Sequence, residues 1–126
     1  MASVVLDTSV LIALFRIDDP HHESAVKATS ARNEYSISAI TLSEALISPF
    51  RINSQSGQKY YQLVSKTLHQ IISVDEEIAL LGAQIRAENK LSLPDALISA
   101  TAYTQKAQLW SCDRDLVKSH RGAVLI

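Results

Sequence analysis

The sequence has few of the residues that mark several large classes of protein. It contains one cysteine, three glycines and three prolines among 126 residues. A single cysteine cannot form an internal disulfide, which is typical of a reducing compartment. So few glycines and prolines argue against disorder and against a loop-rich all-β fold.

No apolar run approaches the roughly 20 residues that span a bilayer. The first residues also lack the basic region of a signal peptide. Together these absences predict a cytoplasmic protein with no membrane-spanning segment.

The sequence also has no excess of charge of one sign. It contains 12 basic and 13 acidic residues, which give a net charge of −1. Proteins that bind nucleic acid usually carry a basic surface. The net charge therefore does not by itself indicate RNA or DNA as a ligand. The length fits one domain with one packed core, which we expect to span residues 1–126.

Short apolar runs alternate with longer segments of helical period. The five runs predicted as strands are Val4–Leu6, Tyr35–Ser38, Ile71–Val74, Leu109–Trp110 and Ala123–Ile126. Strands separated by helices indicate right-handed crossovers. The sequence therefore predicts an α/β protein, a three-layer α/β/α domain around a five-stranded parallel sheet.

Capping residues and hydrophobic period give expectations for the helices as well. Asp19-Pro20 and Thr41 are the predicted starts of two helices. The polar stretch 53–58 is a predicted loop between two helices. Residues 96–103 are apolar nearly all round, which predicts the most buried helix of the domain.

Four acidic residues stand at or near the predicted carboxyl ends of strands. Asp7 and Asp113 follow the first and fourth strands, Glu44 lies one turn into a helix, and Asp95 opens the apolar helix. Each has a structural explanation: an N-cap for Asp7 and Asp113, a capping box with Thr41 for Glu44, and the helix dipole for Asp95. Ligands of open α/β sheets, however, bind at the carboxyl ends of the strands, where strand order reverses.

The four acids together favour a metal site over four separate caps. Converging carboxylates repel one another and raise each other's pKa unless a cation neutralises them. Oxygen ligands of this kind suit Mg²⁺ or Mn²⁺. Without these four, nine acidic residues would face twelve basic ones, which allows a polyanionic substrate.

The segments around these acids resemble the motifs of the PIN-domain family, and more narrowly the VapC-like toxins of bacterial and archaeal toxin–antitoxin pairs. The resemblance covers essentially the whole chain, in the order of the family. The segments that carry it are Val4-Val5-Leu6-Asp7-Thr8-Ser9, Ile37-Ser38-Ala39-Ile40-Thr41-Leu42-Ser43-Glu44, Leu93-Pro94-Asp95-Ala96-Leu97-Ile98-Ser99-Ala100-Thr101-Ala102 and Leu109-Trp110-Ser111-Cys112-Asp113-Arg114-Asp115-Leu116.

The resemblance implies an endoribonuclease that depends on Mg²⁺ or Mn²⁺, forms a homodimer and pairs with a cognate antitoxin. It implies four catalytic acids, which are Asp7, Glu44, Asp95 and Asp113. Of these, Asp7, Asp95 and Asp113 would bind the metal, and Glu44 would bind it too or orient the attacking water. Ser9, Ser111 and Asp115 would support the site, with Ser111 standing where the family usually has threonine.

Three other functions are alternatives to this interpretation. The main alternative is a catalytically inactive PIN-like module that binds RNA or protein. A receiver domain would show adjacent acids after the first strand, where this chain has Asp7-Thr8-Ser9. A phosphatase with an Asp nucleophile would have the motif Asp-x-Asp-x-Thr, but position 9 of this chain is Ser. We expect His21 and His22 to be exposed, Cys112 to be a small buried side chain, and His69 and His120 to be structural.

Overall fold

The computed structural model describes all 126 residues, which form five strands and seven helices. The strands are β1 (Ser3–Leu6), β2 (Glu34–Ser38), β3 (Gln70–Ile72), β4 (Gln108–Ser111) and β5 (Val124–Leu125). The helices are α1 (Thr8–Phe15), α2 (His22–Ala28), α3 (Ala39–Ile52), α4 (Ser54–Thr67), α5 (Glu76–Glu88), α6 (Leu93–Thr104) and α7 (Arg114–Ser119). None of these helices is long and apolar enough to cross a membrane.

The five strands form one parallel sheet in the order β3-β2-β1-β4-β5. The predicted α/β fold with a five-stranded parallel sheet is therefore confirmed. The chain runs outward from β1 to β3 and then returns to place β4 on the other side of β1. Strand order thus reverses between β1 and β4, where Leu6 is in register with Trp110. This is the position at which an open α/β sheet offers a ligand crevice.

The hydrophobic core lies on both faces of the sheet. Val4 and Leu6 of β1 point to one face, where they pack with residues of α1, α2 and α4. Val5 points to the other face and packs with residues of α5, α6 and α7. A strand buried on both sides must be apolar at every position, which explains the unbroken run Val-Val-Leu. The predicted burial of α6 is also observed, since six of its twelve residues are buried.

Two helices do not begin where the sequence predicts. α2 begins at His22, because the Asp19 carboxylate accepts a hydrogen bond from the His21 N–H (2.8 Å) and forms a turn before the helix. α3 begins at Ala39 and not at Thr41. The residue that caps α3 is Ser38, whose hydroxyl accepts the N–H of the second helical residue at 3.1 Å.

The predicted loop at residues 53–58 is wrong. Only Asn53 separates α3 from α4, and its side-chain oxygen accepts a hydrogen bond from the Ser56 N–H at 2.8 Å. Gly57 lies against the ring of Phe50, so close that an added Cβ would stand 2.2 Å from a ring carbon. The polar residues that suggested a loop are the capped first turn of an exposed helix. Strand β3 also ends earlier than predicted, at Ile72.

Candidate active site

Asp7 lies at the carboxyl end of the central strand, where its N–H donates to the carbonyl of Trp110 (2.9 Å). It is the residue before α1, yet its side chain makes no capping hydrogen bond. Instead Oδ2 accepts hydrogen bonds from the hydroxyls of Ser9 (2.7 Å) and Ser111 (2.8 Å). The carboxylate is 4% exposed. The capping explanation therefore fails for Asp7, whose carboxylate is held by two hydroxyls from two strand ends.

The same two serines join the ends of β1 and β4. Ser111 Oγ accepts the Asp113 N–H at 2.9 Å, and Ser9 Oγ accepts the Cys112 N–H at 3.0 Å. The two hydroxyl oxygens are 3.5 Å apart. Each serine thus donates its hydroxyl to Asp7, and each accepts an N–H group from the segment that follows β4, which fixes the position of the first acid relative to the fourth.

Asp113 is exposed and caps α7, since its Oδ1 accepts the Asp115 N–H at 2.9 Å. The capping explanation holds for this one oxygen of Asp113. The side chain of Asp115 is exposed and makes no hydrogen bond to the protein. Only the backbone of Asp115 takes part in the arrangement.

Glu44 reaches the same edge of the sheet from α3. Its Oε1 accepts a hydrogen bond from the Thr8 hydroxyl at 2.7 Å. The hydroxyl of buried Thr41 lies 3.1 Å from that of Thr8. Because Ser38 caps the helix, the predicted capping box of Thr41 and Glu44 is wrong. Sequence reasoning assigned no role to Thr8, although it stands between the two motif residues Asp7 and Ser9.

Asp95 lies in the first turn of α6, and its N–H donates to the capping hydroxyl of Ser92 at 3.3 Å. Burial raises the pKa of Asp95 to about 6, and repulsion from Asp7 adds to it; Asp113 and Glu44 contribute smaller increases, while Ser92 opposes them. The Asp95 carboxyl group therefore lies in the field of the other three acids, and the four stand at one edge of the sheet.

The chemistry of these donors fits a hydrated divalent ion. No three acidic, histidine or cysteine side chains stand close enough together to form a ready ligand shell. Mg²⁺ is usually bound through one or two carboxylates and keeps several of its waters, so it does not need an all-protein shell. Carboxylate oxygens are also its preferred ligands. Residues Asp7, Asp95 and Asp113 could hold such an ion, directly or through water.

The other residues weighed in the sequence divide into two groups. His21, His22 and Cys112 are partly buried, so the prediction of exposed histidines and of a buried cysteine is wrong. His22 Nδ1 lies 2.7 Å from the carbonyl of residue 13, a contact across the chain that local sequence does not reveal. His120 is buried, and His69 pairs with a glutamate at 3.1 Å; both agree with a structural role.

Comparison with known proteins places these observations in a family. The PIN domain family matches residues 4–120 of the chain. No curated protein sequence matches it significantly. Among solved structures, a toxin–antitoxin complex from Klebsiella pneumoniae is similar at 28% identity and TM-score 0.78, covering 96% of this chain and 95% of that one.

Two further structures are less similar in sequence and show the shared fold. FitAcB from Neisseria gonorrhoeae is 21% identical with a TM-score of 0.78 and covers 98% of this chain and 96% of its own. VapC20 from Mycobacterium tuberculosis, a sarcin–ricin loop cleaving toxin, is 18% identical with a TM-score of 0.80, and 98% of each chain is covered.

Proposed function

Because the chain belongs to the PIN-domain family, we propose that it is an endoribonuclease dependent on Mg²⁺ or Mn²⁺ and the toxin of a toxin–antitoxin pair. The family and the similar toxin structures support a nuclease. The single observation that carries the proposal is the buried carboxylate of Asp7, which caps no helix and is held by the hydroxyls of Ser9 and Ser111. Capping does not explain Asp7, whose side chain makes no capping hydrogen bond, or Glu44, which the Thr8 hydroxyl of another helix holds at 2.7 Å.

We assign metal binding to Asp7, Asp95 and Asp113. When bound, the ion acidifies a water ligand and neutralises charge that develops on the leaving oxygen. The protein's part is to hold the acids in place. Ser9 and Ser111 bind Asp7 Oδ2 and leave Oδ1 without a partner in the chain.

Glu44 is suited to orient the attacking water. Thr8 holds its Oε1 at 2.7 Å, so the carboxylate is fixed while Oε2 stays available as a hydrogen-bond acceptor. A water bound there would donate one proton to Glu44 and present its lone pair to the phosphorus. Attack by water leaves a 5′-phosphate on one product and a 3′-hydroxyl on the other. Asp115 enters this proposal only through its backbone, which orients Asp113.

The partners follow from the same premise. Solved structures of this fold include toxin–antitoxin complexes, one of them 28% identical to this chain. The end of α3 exposes three large apolar side chains, Ile47 (48%), Phe50 (42%) and Ile52 (73%). Ile47 and Phe50 are three positions apart and therefore share one face of the helix, and an exposed apolar face of this kind suits contact with a protein partner. We propose one cytoplasmic PIN domain over residues 1–126 that forms a homodimer and binds an antitoxin.

The test is cleavage of single-stranded RNA by the purified protein, with Mg²⁺ or Mn²⁺ and with excess EDTA. We expect cleavage that EDTA abolishes and a metal restores, with 5′-phosphate ends on the products. Asp95→Asn should lower the rate at least about 100-fold, since even partners of metal ligands are worth 10- to 100-fold.

Asp75→Asn is the matched control. Asp75 follows β3 at the same edge of the sheet and caps α5, accepting the Ile78 N–H at 2.9 Å, a bond that asparagine retains. It should cleave RNA like the wild type. Full activity in EDTA would contradict the metal proposal. RNA binding without cleavage by the metal-loaded protein would favour the inactive PIN-like module instead.

A further inference from the structure

An open groove of about 330 Å³ lies beside the four acids, and the proposed chemistry does not use it. It is formed by α1, by the turn that precedes α2 and by the residue that follows β4. The residues that line it are Ser9, Ile12, Asp19, Pro20, His21 and Cys112. Its volume is at the lower end of the range of small-ligand sites, which begins at about 300 Å³.

Two of its lining residues connect the groove directly to the proposed catalytic acids. The Ser9 hydroxyl donates to Asp7 Oδ2 at 2.7 Å and accepts the Cys112 N–H at 3.0 Å. Cys112 in turn lies between Ser111 and Asp113 in the sequence. A phosphate held at the acids would therefore place a neighbouring nucleotide at the mouth of this groove.

The lining selects against a phosphate and for a flat uncharged ring. It contains no lysine or arginine, and its one charged side chain is the carboxylate of Asp19. A phosphate would be repelled by that charge. Ile12 and Pro20 are apolar, and His21 offers a ring. Unstacked bases of RNA are bound in this way, stacked on side chains such as histidine and hydrogen-bonded at their edges.

Asp19 supplies an acceptor for the edge of such a base. Its Oδ1 accepts the His21 N–H at 2.8 Å, and Oδ2 has no partner in the chain. A carboxylate accepts hydrogen bonds only, so it favours a base that presents N–H donors. Guanine presents two adjacent donors, at N1 and at its exocyclic amine, and can meet both oxygens of a carboxylate.

We propose that this groove is a base-binding subsite, which takes the base of a nucleotide next to the cleaved bond and prefers guanine there. The proposal rests on the proposed ribonuclease function. Asp19 accepts hydrogen bonds from the edge of the base and so distinguishes one base from another. His21 stacks on the ring of any base.

The position of the cleaved bond is first mapped by sequencing the products. The test then compares four RNAs of equal length that differ only in the nucleotide on one side of that bond. The wild type should cleave the guanine RNA with a kcat/KM about tenfold above that of the uridine RNA. Asp19→Asn places an amide donor against guanine and should remove this preference by lowering kcat/KM for the guanine RNA about tenfold. Asn keeps the acceptor for the His21 N–H. The control is Asp18→Asn, an equal charge change at an exposed neighbour outside the groove, which should keep the preference.

His21→Ala should act differently, because stacking tolerates every base. It should lower kcat/KM for all four RNAs by a similar factor of about tenfold. The control is His69→Ala, which lies at the opposite edge of the sheet, 52% exposed in its side chain, and should leave all four rates within about twofold.

Chemical modification of Cys112 tests the groove without a variant that must fold. It is the only cysteine in the chain. N-ethylmaleimide on the folded protein should fill the groove and lower kcat/KM for the guanine RNA by at least about tenfold, with a smaller loss from the shorter methylthio group. Equal cleavage by the labelled and the unlabelled protein overturns the subsite.

The two proposals fail in distinguishable ways. If no RNA is cleaved with any metal, the ribonuclease proposal fails. If RNA is cleaved with metal but without a preference that Asp19→Asn changes, the nuclease stands and the subsite is overturned. The subsite is also overturned if the Asp19 and His21 variants cleave all four RNAs normally and alter only inhibition by an antitoxin.

Discussion

Two regions of the molecule contain an ionisable side chain shifted towards its neutral form, and they differ in what surrounds it. One region is the acidic edge, which consists of Asp7, Glu44, Asp95 and Asp113. There, burial and the three other carboxylates raise the pKa of Asp95 to about 6. Beneath the other end of α6, burial alone lowers the pKa of His120 to about 4. His120 Nδ1 lies 2.6 Å from the Ser99 hydroxyl, and its ring stacks on Tyr103 at 3.9 Å.

The difference separates a structural cluster from a candidate site. The histidine is neutral, packed and hydrogen-bonded, so nothing more is needed to stabilise it. The four acids repel one another, and a bound cation would relieve this repulsion. A pKa that burial and neighbouring charges perturb together indicates a candidate functional site. Mutations in the two regions should therefore affect different properties.

The largest expected effect is on cleavage at the acidic edge. Asp7→Asn should lower the rate of RNA cleavage at least about 100-fold, because it removes a charge that two serines hold in place. The free energy of unfolding without metal should not fall, since the substitution also relieves repulsion. Initial rates and thermal melting in EDTA measure the two quantities. Asp75→Asn serves as the control, and an unchanged rate in Asp7→Asn would exclude that residue from the mechanism.

The next largest effect is on the stability of the fold, through the cluster of His120, Ser99 and Tyr103. Ser99→Ala leaves buried His120 without its hydrogen-bond partner, which should lower the free energy of unfolding by about 1–3 kcal/mol. RNA cleavage at a temperature well below melting should stay within about twofold. Ser43→Ala, at an exposed helical position, should change stability by less than about 0.5 kcal/mol. A loss of cleavage without a loss of stability would reverse the assignment of the two regions.

The two shifted groups should oppose each other as pH changes. Below the unfolded pKa of His120 near 6.5, the unfolded chain binds its proton more readily, so stability is lost as pH falls towards 4. Asp95 acts in the opposite sense: the folded chain takes up its proton between about pH 6 and 3.8, so stability is gained over this range as pH falls.

Asp95→Asn should therefore steepen the loss of stability between pH 6 and 4 in metal-free buffer. Urea unfolding at several pH values measures the slope, and Asp75→Asn provides the reference. Parallel curves for Asp95→Asn and the wild type would show that the repulsion at the acidic edge is absent.

The smallest effect is expected at Asp115. Its side chain is exposed without a partner, and only its N–H contacts Asp113. Asp115→Asn should change RNA cleavage by no more than about twofold. A loss comparable to that of Asp7→Asn would show that the side chain binds metal or substrate.

The parts of this structure that the sequence predicts are those fixed by one strong local signal. An unbroken apolar run such as Val4–Leu6 indicates a buried strand, and an acid directly after such a strand lies at the carboxyl end of a parallel sheet. The capping residues were less predictable. Thr41 is as suitable a cap for α3 as Ser38, and Asp19 is a suitable cap for α2. Only tertiary packing decides where each helix begins.

Contacts across the chain could not be predicted at all. The bond from Thr8 to Glu44 joins residues 36 positions apart, and no local pattern indicates it. The same holds for the groove, where His21 was expected to be exposed. Its place beside Cys112 depends on how α1 and α2 pack against the end of β4.

We propose that Asp7, Asp95 and Asp113 bind a divalent ion together. Calorimetric titration of Mn²⁺ into the wild type at pH 6 should show saturable binding with release of protons from Asp95. Asp7→Asn and Asp95→Asn should each weaken this binding at least about tenfold, and Asp75→Asn should not. Equal Mn²⁺ affinity in all four proteins, or no binding by the wild type, would contradict the claim.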